Sequence, residues 1–450
     1  MKDFTLAEIA KACNGEYVGD ESLKNTKITS VERDSRQVKN GSLFLAIKGD
    51  RVDGHDFIEK CFAQGAVCAL CEKTPEKATK PCIVVPSTLD AVKIIGRAYR
   101  EKFDIPVIGI SGSVGKTSTK EMLYAVLSQK FKTHKTQGNL NNELGVPLTL
   151  LSMPEDTEAA VIEMGISDFG EMTRLSEMVQ PTICVLTIIG ECHLENLGDR
   201  DGVLKAKTEM FKNARENADF ILNGDDDKLS TVKTVNGKKP VFFGLDAKND
   251  FYAKNIKNSG DGKVLATLCF DNNNIDVEIP AIGTYMVTNA LAAAAAGKLL
   301  GLTDEEIANG VASYKTVGSR ANVINTGKIK IIDDCYNANP TSVRASLDTL
   351  SNLDGRKVAI LGDMKELGSE ELKLHFDTGV YAKSKDIGTV ITVGELAKEL
   401  AKGADGKAFD TIEDAKPEIL KTIKSGDVVL VKASHSMQFE NIVEFLKQNF

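Results

Sequence analysis

The 450-residue chain has no apolar run long enough to cross a bilayer. The longest candidate, Ala290 to Leu302, is interrupted by Lys298 and falls well short of the ~20 residues a spanning helix needs. The opening residues Met1-Lys2-Asp3-Phe4-Thr5-Leu6-Ala7-Glu8 lack the apolar centre of a secretory signal. Basic residues are in deficit, 56 against 64 acidic, for a net charge of −8, so the basic face that neutralises nucleic-acid phosphates is missing. Cysteine is present nine times, an odd number scattered through apolar runs, which suits reduced thiols and not a disulfide framework. Cys68-Ala69-Leu70-Cys71 has metal-ligand spacing but no second pair or nearby His, and reads as the end of a buried strand. No low-complexity segment occurs, and the polar run Asp271-Asn272-Asn273-Asn274 reads as a hairpin turn. These absences predict a cytoplasmic protein without membrane insertion or a nucleic-acid partner.

What is present is an α/β pattern. At 42% hydrophobic and 27% charged residues the chain buries a sizeable core, and about 150 residues per domain predicts three domains. Their expected bounds are 1–103, 104–314 and 315–450. The first opens with a helix signed by the capping box Thr5-x-x-Glu8. The second alternates helices with apolar strands at Val107–Ile110, Ala159–Ile162, Ile183–Thr187 and Phe220–Leu222, the pattern of a parallel sheet covered on both faces. The third repeats that rhythm at Ile329–Ile332, Val358–Leu361, Val390–Val393 and Val428–Val431. It closes on a helix with Ile442, Val443, Phe445 and Leu446 on one side.

The strand Val107-Ile108-Gly109-Ile110 runs into Ser111-Gly112-Ser113-Val114-Gly115-Lys116-Thr117-Ser118. A glycine-rich turn between strand and helix aims backbone N–H groups and a helix N-terminus at a phosphate chain. The lysine then reaches the outer phosphates and the threonine hydroxyl holds Mg²⁺. Ile110 stands where the full motif has its first glycine, and an ordinary glycine-rich turn with a surface lysine is the alternative.

Ligands of such sheets gather at the carboxyl ends of the strands. Glu163, in Glu163-Met164-Gly165, ends a strand there and is either a Mg²⁺ ligand or a solvated strand-end carboxylate. His193, one of only five histidines, lies in Gly190-Glu191-Cys192-His193-Leu194-Glu195 after the next strand, with a structural role as its alternative. Lys205 and Lys207 read from spacing alone as surface lysines. Asp333-Asp334-Cys335-Tyr336-Asn337-Ala338-Asn339-Pro340 marks a turn whose polar side chains can also receive a ribose or a peptide.

Taken together, these motifs resemble the Mur ligases, ATP-dependent amide ligases of peptidoglycan precursor synthesis. The superfamily pattern is carried by Gly112 to Ser118, Glu163-Met164-Gly165 and the His193…Lys207 spacing. One branch is signed by Gly138-Asn139-Leu140-Asn141-Asn142-Glu143-Leu144-Gly145-Val146-Pro147, by Tyr336 to Pro340, and by Gly362-Asp363-Met364-Lys365-Glu366-Leu367-Gly368. The resemblance implies a three-domain fold with a central P-loop parallel-sheet domain and a C-terminal Rossmann-like domain. It implies a monomer joining D-Ala-D-Ala to UDP-N-acetylmuramoyl-tripeptide at the cost of ATP, with two Mg²⁺ ions. It gives Lys116, Glu163, His193 and Lys207 as catalytic, and Thr117, Glu163, His193 and a carbamylated Lys207 as metal ligands. Gly112, Ser113, Gly115, Lys116, Thr117, Ser118, Asn289, Arg320 and Asp334 would hold the nucleotide. Ser35 and Arg36 would hold the uridine end, Asn139, Asn141 and Asn142 the sugar-peptide region, and Tyr336, Asn337 and Asn339 further substrate. The chain departs from the family at Ile188, Tyr285-Met286, Gly318-Ser319 and His435, where Asn, His-Asn, Pro-Gly and Arg are usual. A folylpolyglutamate ligase and a non-catalytic binding paralogue remain the competing readings.

Overall fold

The computed structural model describes residues 1–49, 51–76, 78–259 and 262–450. Among them, three sheets of mainly parallel strands follow one another along the chain. The first runs Glu16–Val18, Cys82–Val84, Cys68–Cys71, Ser42–Leu45, Ser30–Glu32, with only Glu16–Val18 antiparallel to its neighbour. The Thr5 capping box is formed, its hydroxyl accepting from Glu8 N and the Glu8 side chain closing back on the Thr5 N–H. Cys68–Cys71 is a strand with every residue buried.

The central sheet runs Val241–Phe243, Asp219–Asn223, Ile183–Leu186, Val107–Ser111, Ala159–Glu163, Thr133–Lys135, all parallel. Val107–Ser111, Ile183–Leu186 and Ala159–Glu163 are buried throughout, which is why their sequences are continuous apolar runs. A separate antiparallel sheet, Tyr252–Asn258, Val264–Phe270 and Asn273–Ile279, is an addition to the parallel pattern read from the sequence. Its sequence signal is period-two alternation, with Ile275, Val277 and Ile279 buried and the residues between them exposed. Phe270 pairs with Asn273, so Asp271 and Asn272 form the predicted hairpin turn, with φ of +45° and +64°.

Between the two central sheets lies the helix Tyr285–Leu299, and its neighbours explain the long apolar run. Residues Ala290 to Ala296 are almost all alanine and fully buried, in one apolar cluster with Met122 of the helix Lys116–Leu127 on one side and Leu268 and Val277 of the antiparallel sheet on the other. A helix apolar all round belongs between two layers. Among the described residues no helix is long and apolar enough to cross a membrane.

The third sheet runs Asn322–Asn325, Lys330–Asp333, Asp427–Lys432, Arg356–Gly362, Thr389–Val393, Lys407–Phe409, parallel except for its first pair. The four apolar strands are where the sequence puts them. The outer two are short and polar, the usual character of sheet edges. The terminal helix Glu440–Asn449 buries Ile442, Val443 and Leu446, with Phe445 only partly covered.

The first and central sheets share one continuous core, from Phe4 and Leu43 through Tyr99 and Val107 to Ile162 and Met172. Arg100 fastens this junction. It is fully buried at the end of the helix Thr88–Glu101 and donates to the carbonyls of Phe103 at 2.7 Å, Val179 at 2.9 Å and Gln180 at 3.3 Å. Burial pushes its pKa down to about 10. Arg100→Met leaves buried carbonyls unpaired, at a cost of about 2–4 kcal/mol. The expected result is a lower thermal unfolding midpoint with unchanged far-ultraviolet circular dichroism at 20 °C or so.

Candidate active site

Strand order builds the site. Val107–Ser111 lies between Ile183–Leu186 and Ala159–Glu163, so the loops leaving these three strands emerge side by side. The first is the glycine loop. Gly112 has φ +150°, and a Cβ there would lie 1.9 Å from Thr187 Oγ1, so only glycine lets the loop pass. Gly115, at φ +85°, precedes the helix Lys116–Leu127. The loop is stitched to the third of these loops: Ser113 N donates to Ile188 O at 2.7 Å, Gly190 N to Ser113 Oγ at 2.9 Å, and Cys192 Sγ to Ser113 Oγ at 3.0 Å. Lys116 folds over the loop, its Nζ 2.7 Å from Gly112 O. Ser118 faces the Tyr314 hydroxyl.

Glu163 is 1% exposed and is not the solvated strand end of the alternative reading. Its carboxylate accepts from Thr117 Oγ1 at 2.9 and 3.1 Å and from Asn141 Nδ2 at 2.8 Å, and Lys120 Nζ lies 3.4 Å away. Nucleotide loop and asparagine loop therefore meet on one side chain. Asn141 O also accepts from Gly165 N at 2.9 Å. Asn142 Oδ1 takes the N–H of Gly145 at 2.8 Å and starts the helix Gly145–Leu151, while Asn139 is exposed at the rim. Lys120 escaped the sequence reading. It is fully buried, with Glu121 at 3.3 Å and Gly138 O at 3.4 Å, and Glu121 pairs in turn with Lys135. The only sequence sign of it was its place one helical turn beyond Lys116.

Lys207 is 1% exposed, which removes the surface-lysine reading. Burial, with Lys116 nearby, pushes its pKa down to about 8. His193 is held in the left-handed region at φ +51° at the start of the helix Leu194–Leu197. Its Nδ1 is buried without an aligned hydrogen bond, although Glu366 Oε2 approaches to 2.6 Å. The imidazole holds the Glu366 carboxyl below the usual carboxylate range. Among the described residues no three His, Cys, Asp or Glu side chains converge as a ready-made metal cage. Mg²⁺ characteristically takes one or two protein oxygens and completes its shell with phosphates and water. The adjoining Thr117 hydroxyl and Glu163 carboxylate, with the His193 imidazole in the neighbouring loop, fit that requirement.

Asn289 closes the nucleotide loop from behind: Thr119 Oγ1 donates to its Oδ1 at 3.0 Å, and its Nδ2 donates to Met286 Sδ at 3.3 Å. The third segment meets this region through Thr341 Oγ1, which donates to Glu191 Oε2 at 2.6 Å. Arg320 lies 3.6 Å over the Tyr336 ring, which has His435 on another side. Asp334 is engaged by its own chain. Its Oδ1 accepts from Ala321 N at 3.1 Å, and its Oδ2 accepts from Ser346 Oγ and Lys432 Nζ, each at 2.6 Å. Asn337 and Asn339 likewise shape the turn, Asn337 Oδ1 accepting from Ala338 N and Asn339 capping the helix Pro340–Ser351. Ser35 is half-buried after the strand Ser30–Glu32, and the exposed Arg36 pairs with Asp34, holding that carboxyl at about 2.

Comparison with known proteins follows the same three-part division. The Mur ligase family catalytic domain matches residues 27–111, the Mur ligase middle domain 110–297, and the Mur ligase glutamate ligase domain 319–435. The UDP-N-acetylmuramoyl-tripeptide–D-alanyl-D-alanine ligase of Bacillus subtilis is 36% identical over 98% of both chains. Among solved structures, MurF from Acinetobacter baumannii superposes with a TM-score of 0.92 at 32% identity, over 100% of this chain and 99% of that one. The MurF ligase of Thermotoga maritima in complex with ADP gives 0.84 at 30% identity, over 93% of this chain and 97% of that one. A glycine loop and an asparagine loop joined on one buried carboxylate, inside a fold matched from end to end, identify the chain as a member of the Mur ligase family.

Proposed function

We propose that this chain joins D-alanyl-D-alanine to UDP-N-acetylmuramoyl-tripeptide, with ATP as energy source and an acyl phosphate as intermediate. The observation that carries the proposal is Glu163, shared by Thr117 of the nucleotide loop and Asn141 of the asparagine loop. It brings a site for phosphates against a site for an acceptor. The relatives that match along the whole chain bear the name of this reaction. The central set Lys116, Thr117, Glu163, His193 and Lys207 is intact, which disfavours a non-catalytic paralogue. The motifs Gly138 to Pro147 and Tyr336 to Pro340 disfavour a folylpolyglutamate ligase. The working unit in this reading is a cytoplasmic monomer with domains at 1–103, 104–314 and 315–450.

In the first step a terminal carboxylate oxygen of the tripeptide attacks the γ-phosphorus. The bond to the β,γ-bridging oxygen breaks and ADP leaves. Both reactants are anions, so the site must screen charge. Lys116, released from Gly112 O, places its ammonium on the outer phosphates, and the loop N–H groups and helix N-terminus hold the rest. Thr117, Glu163 and His193 would hold Mg²⁺, which when bound neutralises phosphate charge. In the second step the dipeptide amine attacks the acyl carbon, phosphate leaves, and the amine's proton passes to a base. Closure of the third domain keeps water from the acyl phosphate.

Lys207 has the properties of a carbamylation site. Burial pushes its pKa down to about 8, so more of it is free amine at neutral pH than of an exposed lysine. The free amine adds to CO₂, releasing one proton and leaving a carbamate in place of a buried cation. The carbamate would hold a second Mg²⁺.

Three outcomes test these assignments. Lys116→Ala should lower ADP formation by at least about 100-fold with circular dichroism unchanged; retention of more than about a tenth of the activity rejects the loop assignment. Incubation with ¹³C-bicarbonate should give one carbamate resonance that Lys207→Arg abolishes, and small carboxylates should partly restore turnover to Lys207→Ala. Full activity of Lys207→Ala would return it to a structural lysine. Because Met286 Sδ already accepts from Asn289, the Ile188→Asn, Met286→Asn double variant should shift the KM for ATP by less than about threefold in steady-state kinetics, a single weak hydrogen bond being at stake.

A further inference from the structure

The motif Gly362 to Gly368 has no role in the reaction described so far, yet the third segment holds it with care. His375, fully buried, accepts the Met364 N–H at Nε2 (2.9 Å), and its Nδ1 lies 2.6 Å from Glu371 O. Lys365 N donates to Ser434 Oγ at 3.0 Å, and Asp363 Oδ1 accepts from Ala397 N at 2.9 Å. So pinned, the loop turns Glu366 into the left-handed region, φ +66°, a conformation that side-chain-bearing residues rarely adopt. Gly368, also left-handed at φ +63°, leaves no more than 3.3 Å between an added Cβ and the backbone of Glu195. The strained residue is the one whose carboxylate lies 2.6 Å from His193 Nδ1, the buried nitrogen without an aligned partner. A second tie stands beside it, Thr341 to Glu191, where Gly190 lets Thr341 approach: a Cβ on Gly190 would lie 2.4 Å from the hydroxyl.

We propose that Glu366 is a positioning residue for the ligase reaction. Reaching across from the third domain, it accepts the Nδ1–H of His193 and fixes the ring with Nε2 as the nitrogen left for the cation. Histidines that bind metals commonly give their second N–H to a carboxylate, which sets both tautomer and orientation. A rotation of the imidazole aligns the pair, as polar contacts in empty sites tighten when substrate arrives. Because the carboxylate comes from another domain, the histidine is seated only when the third domain is docked. The loop 188–193 is also bonded to Ser113, so docking reaches the phosphate loop by the same path. The proposal rests on the reading of His193 as a metal ligand.

The test uses the full-length protein with ADP and Mn²⁺, free Mn²⁺ being counted by electron paramagnetic resonance. His193→Ala should lose affinity for one Mn²⁺. Glu366→Ala should weaken the same ion by about 10- to 100-fold, the usual effect of removing such a carboxylate. Glu366→Gln, whose amide oxygen still accepts the ring N–H, should stay within about threefold of the parent, and kcat should fall more than KM for ATP rises in Glu366→Ala. Loss in His193→Ala but not in Glu366→Ala overturns the proposal and leaves the metal reading standing. No loss in His193→Ala overturns both. A loss in Glu366→Gln equal to that in Glu366→Ala also overturns it, since bulk charge and not the positioning contact would then be acting.

Discussion

A carboxylate as deeply buried as Glu163 stays charged only if donors surround it, and the site is organised by where those donors come from. Thr117 brings the start of the helix Lys116–Leu127, Asn141 brings the asparagine loop, and Lys120 brings a fixed cation from one helical turn further on. Two of these donors lie on one helix and the third on the asparagine loop, so two segments are tied to the same carboxylate. Glu121 and Lys135 extend the cluster so that two carboxylates face two ammonium groups, and none of the four stands unpaired in the interior. The parallel sheet makes this meeting possible by ending its middle strands at one level; the polar cluster then fixes it.

The legible parts of this chain were those where one physical demand dominates. Fully buried parallel strands are apolar along most of their length, so the runs Val107–Ile110 and Val428–Val431 were readable as strands. The glycine loop was readable because Gly112 can be nothing else beside Thr187. Edge strands such as Lys407–Phe409 carry no such demand and went unseen. Lysine proved the hardest residue to read. Lys116, Lys120 and Lys207 are chemically alike in sequence, and only the fold separates the two wholly buried ones from the partly buried Lys116 on the glycine loop. The family resemblance singled out Lys207 where spacing had not, because spacing carries no information about desolvation.

Polar residues of the third segment are held by hydrogen bonds within their own chain. Asp334, Asn337 and Asn339 are chemically suited to a ligand, and all three spend their side-chain acceptors on their own chain. Ala321, which Asp334 grips, adopts φ +52°, and Gly318 before it φ +63°, so the connection into the third sheet turns twice through left-handed geometry before it is caught. The departures Gly318-Ser319 and His435 fall around this connection and the Arg320–Tyr336 stack, not among the donors to Glu163.

All nine cysteines are buried, and they are spread along the chain over strands, helices and the loop that holds Ser113. Burial pushes the Cys61, Cys68, Cys184 and Cys335 thiols up, so even a reagent small enough to enter would find few thiolates there. Alkylation of the native protein therefore waits on breathing of the surrounding structure. Cys192 against Ser113, Cys335 beneath the strand Asp427–Lys432 and Cys68 within the first sheet are each silent until their own neighbourhood opens. The chain carries an internal set of clocks, one for each region, whose labelling rates read out local opening without any added probe.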